Sequence, residues 1–323
     1  MKLKRSASPL IALTALIALV GCSAAPASST APSGDASSQS GSGATNVMGG
    51  PEGTTTFAVT ASTDLASQAA AIITDGTVEV VTRAGVPPYE YIVEGTDELR
   101  GVDIDITKAI AAKLGLKANF NLVEFAGILP AMQAKRYDFS IASMGDTPER
   151  EKVVDFVDYS TDSNSIVTVK GNPKGITGMD SLCGLKISSV EGSVMLGLLE
   201  EQNKKCDTKM DITIFPDNAN SLLQVQTGRA DATMYQTGIT AYLIKTDEAA
   251  TNLEIIGNTE FGKGYNAIAV SKDNSALRDL IQKALIELQS DGVYDAVHDA
   301  WGLGPNKVAE ITVNDGLKYN QPS

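Results

Sequence analysis

Histidine is nearly missing from this sequence, with one in 323 residues, alongside three cysteines, one tryptophan and an aromatic content of 5%. That scarcity excludes a zinc centre of the usual kind, which takes its four ligands mainly from His and Cys. His298 lies on the C-terminal helix among Asp295, Asp299 and Trp301, and is expected to face solvent. No G-x-x-x-x-G-K-[ST], G-x-S-x-G or H-E-x-x-H run occurs, and no thiol has a basic partner, so the usual marks of nucleotide hydrolysis and acyl transfer are absent. Basic residues are outnumbered, 26 against 39, for a net charge of -13. An acidic chain with no basic patch repels nucleic acid, which is excluded as a partner. Long apolar runs are missing too: the main one, Leu10 to Val20, is too short to span a bilayer.

What precedes and follows that run points to export. Lys2, Lys4 and Arg5 stand ahead of it, the layout of a secretory signal. Leu19-Val20-Gly21-Cys22 resembles a bacterial lipobox, which implies that residues 1–21 are a lipoprotein signal peptide and that Cys22 carries the lipid. Acyl chains contribute about 0.8 kcal/mol per buried CH2, enough in combination to hold a protein on a membrane. Losing residues 1–21 removes three basic and no acidic side chains, taking the charge from -13 to -16. Residues 22–56 are mostly Ser, Ala, Gly, Thr and Pro, and are expected to form a disordered tether reaching roughly 30 Å. Cys183 and Cys206 remain as an even pair in an exported chain, expected to form a disulfide that stabilises by roughly 3 kcal/mol.

Roughly 250 further residues suffice for two domains. Short apolar runs at 78–82, 118–123, 139–142, 186–190, 212–215, 230–234 and 265–270 predict strands. Amphipathic stretches at 104–114, 128–134, 194–202, 221–226, 237–246, 276–289 and 294–300 predict helices. The alternation indicates an α/β fold with mainly parallel sheets, in which ligands bind at the carboxyl ends of strands. Asp103 and Asp105 at a helix start suit the helix dipole better than a metal or acid–base role.

The stretch Asp138–Phe156, DFSIASMGDTPEREKVVDF, organises the rest. It reads as a buried strand, a polar turn with Ser143 and Gly145, a short helical turn capped by Thr147 with Pro148 at its first position, and a second strand from Val153. Outward N–H groups favour an anion, and Arg150 offers a planar fork for a carboxylate. Spacing alone leaves open a surface ion pair of Arg150 with Glu149, Glu151 or Asp155.

Thr147, Arg150, Val154 and Phe156 match in order the T-x-x-R-x-x-x-[VI]-x-F run of family 3 solute-binding proteins of ABC importers, and the resemblance extends from about Asp64 to Gly302. It implies a two-lobed type II periplasmic-binding-protein fold: lobe 1 from 57–168 and 265–303, lobe 2 from 169–264, two hinge strands, and a tail at 304–323. It also implies no cofactor, a small-molecule ligand (a polar amino acid or related carboxylate), an ABC permease as partner, a lipid anchor on the outer face of the cytoplasmic membrane, a monomer, and no enzymatic turnover. A dehydratase-like enzyme and a ligand-sensing surface lipoprotein are the rival readings of the same fold.

By the same resemblance Arg150 holds the ligand carboxylate beside Ser143 and the N–H of Gly145, while Gly192, Ser193 and Val194 close over it from lobe 2. Ser193 is equally a helix N-cap. Phe125 is an apolar wall or ordinary core, and Tyr89 packs behind the cleft. Arg83 stands where many relatives carry an Asp that reads a cationic side chain, so it favours an acidic ligand and disfavours a basic one; a solvent-facing Arg83 is the alternative. Gln236 stands where relatives place the Asp for the α-ammonium, which weakens that contact unless Glu191 or Asp217 replaces it.

Overall fold

The structure is a computed structural model and describes residues 44–246, 250–257 and 261–318. The signal peptide, Cys22 and most of the expected tether lie outside the described residues.

The first described residues correct one expectation. Strands β1 (Thr45–Gly49) and β2 (Thr55–Val59) form an antiparallel hairpin, so the tether does not run to residue 56. The cause is a period-two pattern among small residues: Val47, Phe57 and Val59 all face one way and are buried. Helix α1 (Thr63–Ile72), which the sequence pattern did not reveal, follows and inserts Leu65 and Ala69.

After it, β3 (Thr77–Thr82), the small β4 (Tyr91–Ile92) and β5 (Leu99–Arg100), and α2 (Val102–Lys113) build the first half. Gly101 before α2 is obligatory, since its φ is +141° and a Cβ there would fall 1.8 Å from the Tyr89 carbonyl oxygen. Helix α2 is buried almost all round, and its acids serve tertiary contacts beyond the helix end. Asp105 accepts from Gly50 N at 2.8 Å and from Trp301 Nε1 at 2.8 Å, tying hairpin and C-terminal helix to α2.

Next come β6 (Lys117–Leu122), α3 (Phe125–Gln133), β7 (Phe139–Gly145) and the sixteen-residue β8 (Val154–Val169). The second half holds β9 (Lys186–Val190), α4 (Val194–Lys205), β10 (Asp211–Phe215), α5 (Asn218–Gln226), β11 (Ala232–Gln236), α6 (Thr237–Thr246) and β12 (Leu253–Ile255). Strand β13 (Phe261–Ser271) then returns to the first half, where α7 (Ser275–Ser290) and α8 (Val293–Ala300) complete it.

One sheet threads both lobes in the order β10-β9-β11-β8-β13-β7-β3-β6, with β12 paired to β8. The strands β3, β6 and β7 run parallel, as do β9, β10 and β11. The antiparallel pair β8 and β13 joins the two groups, and β8 changes partner near Asn164, where its pairing to β11 begins. Both long strands are therefore shared by the lobes of a type II fold. In the second half, Cys183 and Cys206 are disulfide-bonded with a Cα separation of 5.4 Å, joining the turn before β9 to the end of α4.

Two further expectations are corrected. Residues 304–318 are irregular but packed, not a loose tail: Val308 and Ile311 are buried, and Val313 and Lys307 bridge to Val157 and Ser160 of β8. Asn314 adds side-chain bonds to Phe156 N at 2.8 Å and Asp155 at 3.1 Å. His298 does not face solvent. It is fully buried, its Nδ1 lies 2.9 Å from the Tyr294 carbonyl, and burial pushes its pKa down to about 4.

Candidate functional site

The carboxyl ends of β3, β7 and β11 converge with the N-termini of α3, α4 and α5 on a cleft of about 590 Å3 of empty space, its solvent-open mouth included. Arg83, Phe125, Ser143, Gly145, Arg150, Ser193, Val194 and Gln236 all line it. Gly192 does not, yet its carbonyl reaches in to accept from Arg150.

Arg150 begins a 3-10 turn after β7, and its backbone N–H bonds the Thr147 hydroxyl at 3.3 Å, the cap expected from the sequence. Its guanidinium donates through Nη1 to the Gly145 carbonyl at 2.6 Å and through Nη2 to the Gly192 carbonyl at 3.0 Å. The second bond crosses between lobes. Gly192 can present that carbonyl because its φ of +71° is open to glycine, with Ala126 of the opposite lobe 3.6 Å from where a Cβ would stand. Burial first, and the neighbouring Arg83 second, push the Arg150 pKa down to about 10. It is a partly buried cation on the lining of the cleft.

Ser143 lies two residues before the end of β7, where the pairing with β13 is irregular, with a left-handed φ of +44°, unusual for a side-chain-bearing residue. Asp103 of α2 holds it there, accepting the Ser143 N–H at 2.8 Å while taking the Tyr159 hydroxyl on its other oxygen. The Ser143 hydroxyl turns inward, accepting from Arg83 Nη2 at 2.7 Å and donating to Glu90 at 3.2 Å. It is thus engaged inside the wall, at a residue that also lines the cleft beside Arg150.

Arg83 is likewise no surface residue. It is 9% exposed, its Nε bonds the buried Glu90 carboxylate at 2.8 Å, and its guanidinium lies 4.4 Å from the Phe125 ring centre. Burial raises the Glu90 pKa well above the ordinary range, with Asp103 adding to the rise, and burial raises Asp103 to about 6.

Gln236 ends β11 and donates to Asn266 Oδ1 at 2.9 Å, with Ser143 O further off at 3.5 Å. Neither proposed substitute acid stands beside it: Asp217 caps α5 by accepting from Asn220 N at 2.7 Å, and Glu191 is exposed. Two cleft acids escaped the sequence reading. Asp162 of β8 accepts from Tyr89 Oη at 3.2 Å, Ser163 N at 2.8 Å and Gly238 N at 3.2 Å. Asp146 is raised to about 9 by burial, then by Asp158 and Glu151. Asn218 and Asn266 were also missed, and no short-range spacing marks them; only the fold brings them to the wall.

Comparison with known proteins agrees with this geometry. Residues 78–304 match the family of bacterial extracellular solute-binding proteins, family 3. The arginine-binding extracellular protein ArtP of Bacillus subtilis (strain 168) is 29% identical over 226 residues, 69% of this chain and 85% of that protein. An ancestral arginine-binding protein solved with arginine superposes with a TM-score of 0.65 at 36% identity, covering 70% of this chain and 98% of that one. An ancestral amino acid-binding protein, a precursor of cyclohexadienyl dehydratase, superposes with a TM-score of 0.65 at 28% identity over 72% of this chain and 98% of that one. With the family match covering residues 78–304, most of its length, the chain belongs to the bacterial extracellular solute-binding proteins, family 3.

Proposed function

We propose that this protein is the exported receptor of an ABC importer for a polar amino acid, favouring an acidic side chain or another that ends in a hydrogen-bond acceptor. The observation that carries the reading is Arg150, a partly desolvated cation bridging the lobes through two backbone carbonyls, Gly145 and Gly192. An incoming α-carboxylate would take its remaining N–H groups, joined by the first N–H groups of α4, which a helix leaves unpaired. The α-ammonium would meet Gln236 and Asp162 in place of the acid missing at 236.

Arg83 supports the side-chain preference. Its guanidinium already covers the Phe125 face, where a cationic ligand group would otherwise stack. A basic side chain would meet like charge there, so the arginine specificity named for the relatives is not expected in this chain. Lobe 1 (57–168 and 265–303) and lobe 2 (169–264) would close about β8 and β13, and the closed form would deliver the solute to a permease. Cys22 would anchor the monomeric receptor by lipid to the outer face of the cytoplasmic membrane.

Isothermal titration with L-glutamate, L-aspartate, L-glutamine and L-arginine tests the reading. Tightest binding of arginine, or no binding of any of the four, would sink it. One feature favours the enzyme reading: Asp146 lines the cleft, and burial with the neighbouring Asp158 and Glu151 pushes its pKa up to about 9, the direction a general acid needs. Recovery of chemically unchanged ligand after prolonged incubation decides for the receptor, and product formation for the enzyme.

A further inference from the structure

Three residues stand where the cleft opens into an adjoining groove: Arg83, Phe125 and Asn218 line both spaces. Their hydrogen-bonding state is uneven. Arg83 spends Nε on Glu90 and Nη2 on the Ser143 hydroxyl, and among the described residues its Nη1 makes no hydrogen bond. Asn218, the first residue of α5, is 4% exposed, and its Oδ1 has no partner. A buried acceptor without a donor is costly, and most such atoms in folded proteins are satisfied. The wall thus offers one open donor and one open acceptor beside an aromatic face.

We propose that this end of the cleft selects an amino acid whose side chain ends in a primary amide, Asn218 being the residue that separates amide from carboxylate. The inference rests on the receptor reading above and narrows it. The amide oxygen accepts from Arg83 Nη1, and the amide NH2 donates to Asn218 Oδ1. A carboxylate satisfies the first contact and fails the second, because it has no donor and sets oxygen against oxygen. Its charge is also surplus: the Glu90 carboxylate already pairs with Arg83 from behind at 2.8 Å. A basic side chain fails the first contact.

The expected outcome is that titration of the purified full-length chain gives L-glutamine or L-asparagine at least tenfold tighter than the matching acid. Asn218→Ala removes the acceptor, and the amide-to-acid ratio falls toward one. Asn218→Asp restores an acceptor and an added charge, so the ratio rises to or above its original value. Glutamate equal to or tighter than glutamine, or a ratio unmoved in Asn218→Ala, overturns the inference while the receptor reading stands. Arginine binding tightest overturns both, as does the absence of binding. Thermal melts of both variants show whether they fold, and the comparison of ligands on the unaltered chain decides the matter without either.

Discussion

Replacing Arg150 with methionine should separate stability from capture. Methionine keeps an unbranched stem near the Phe125 ring, whose centre lies 5.6 Å from the guanidinium carbon. It removes the bonds to the Gly145 and Gly192 carbonyls, and also removes a cation that burial and Arg83 hold at a pKa of about 10. At about 1.4 kcal/mol per tenfold, that depression corresponds to about 3 kcal/mol of unfavourable charge burial. Two hydrogen bonds from this cation to carbonyls contribute about 3–6 kcal/mol in return, so at the lower end the terms nearly cancel. The melting temperature should therefore stay within a few degrees. Binding should not: truncating one partner of a buried, hydrogen-bonded charge pair costs about 2–5 kcal/mol, or roughly 30- to 5,000-fold in Kd. Arg150→Lys, a point charge without the fork, should fall between the two. Titration calorimetry with the tightest ligand, beside differential scanning calorimetry, reads both quantities. A Kd within threefold of the original for Arg150→Met would refute the placement of the ligand carboxylate.

Arg83→Met leaves the buried Glu90 carboxyl without its ion-pair partner, and should cost about 3–5 kcal/mol, a fall of roughly 6–20 °C in melting temperature by calorimetry. Asp146 has a folded pKa raised to about 9 from an unfolded value near 3.8, so its contribution is full below pH 4 and is lost as pH climbs toward 9. Melting at pH 5 and pH 9 should accordingly favour the lower pH, and Asp146→Asn should flatten that slope; a steeper slope in the variant would contradict the assignment. Ile311→Ala, at 2% exposure in the C-terminal segment, should destabilise by about 2–5 kcal/mol in chemical denaturation, whereas a loose tail would show no change.

The parts of the fold that could be read from sequence are those set by neighbours along the chain. Strand β13 declares itself by the apolar run from Ala267 to Val270, and α4 by its Ser193 cap, which the structure retains with Leu196 N donating to Oγ at 3.1 Å. Arg150 belongs to the same class, because cap, proline and arginine lie within four residues of one another. The hairpin of β1 and β2 was hidden, since Val47, Phe57 and Val59 form a face only when the turn at Gly50 brings them together. His298 shows a signal present but misread. Tyr294, Val297, His298 and Trp301 fall at i, i+3, i+4 and i+7, a helix face that is buried throughout, while Asp295 and Asp299 occupy the other side.

The character of the binding wall depends on a different kind of relation. Arg83 is read as a cation offered to ligand when only its turn is considered, and as a satisfied member of a buried cluster once Glu90, Asp103 and Ser143 are placed around it. Its partner in the bond to Ser143 lies 60 residues away, and Asp103 reaches Ser143 across 40. Local sequence can nominate a charge but cannot say whether the interior has already balanced it, because that balance is struck between strands and helices that meet only in the fold. On the proposed reading, what a ligand would sense at Arg83 is one open N–H on a guanidinium already paired with Glu90. A side chain would then be selected there by its pattern of donors and acceptors, with net charge left to Arg150.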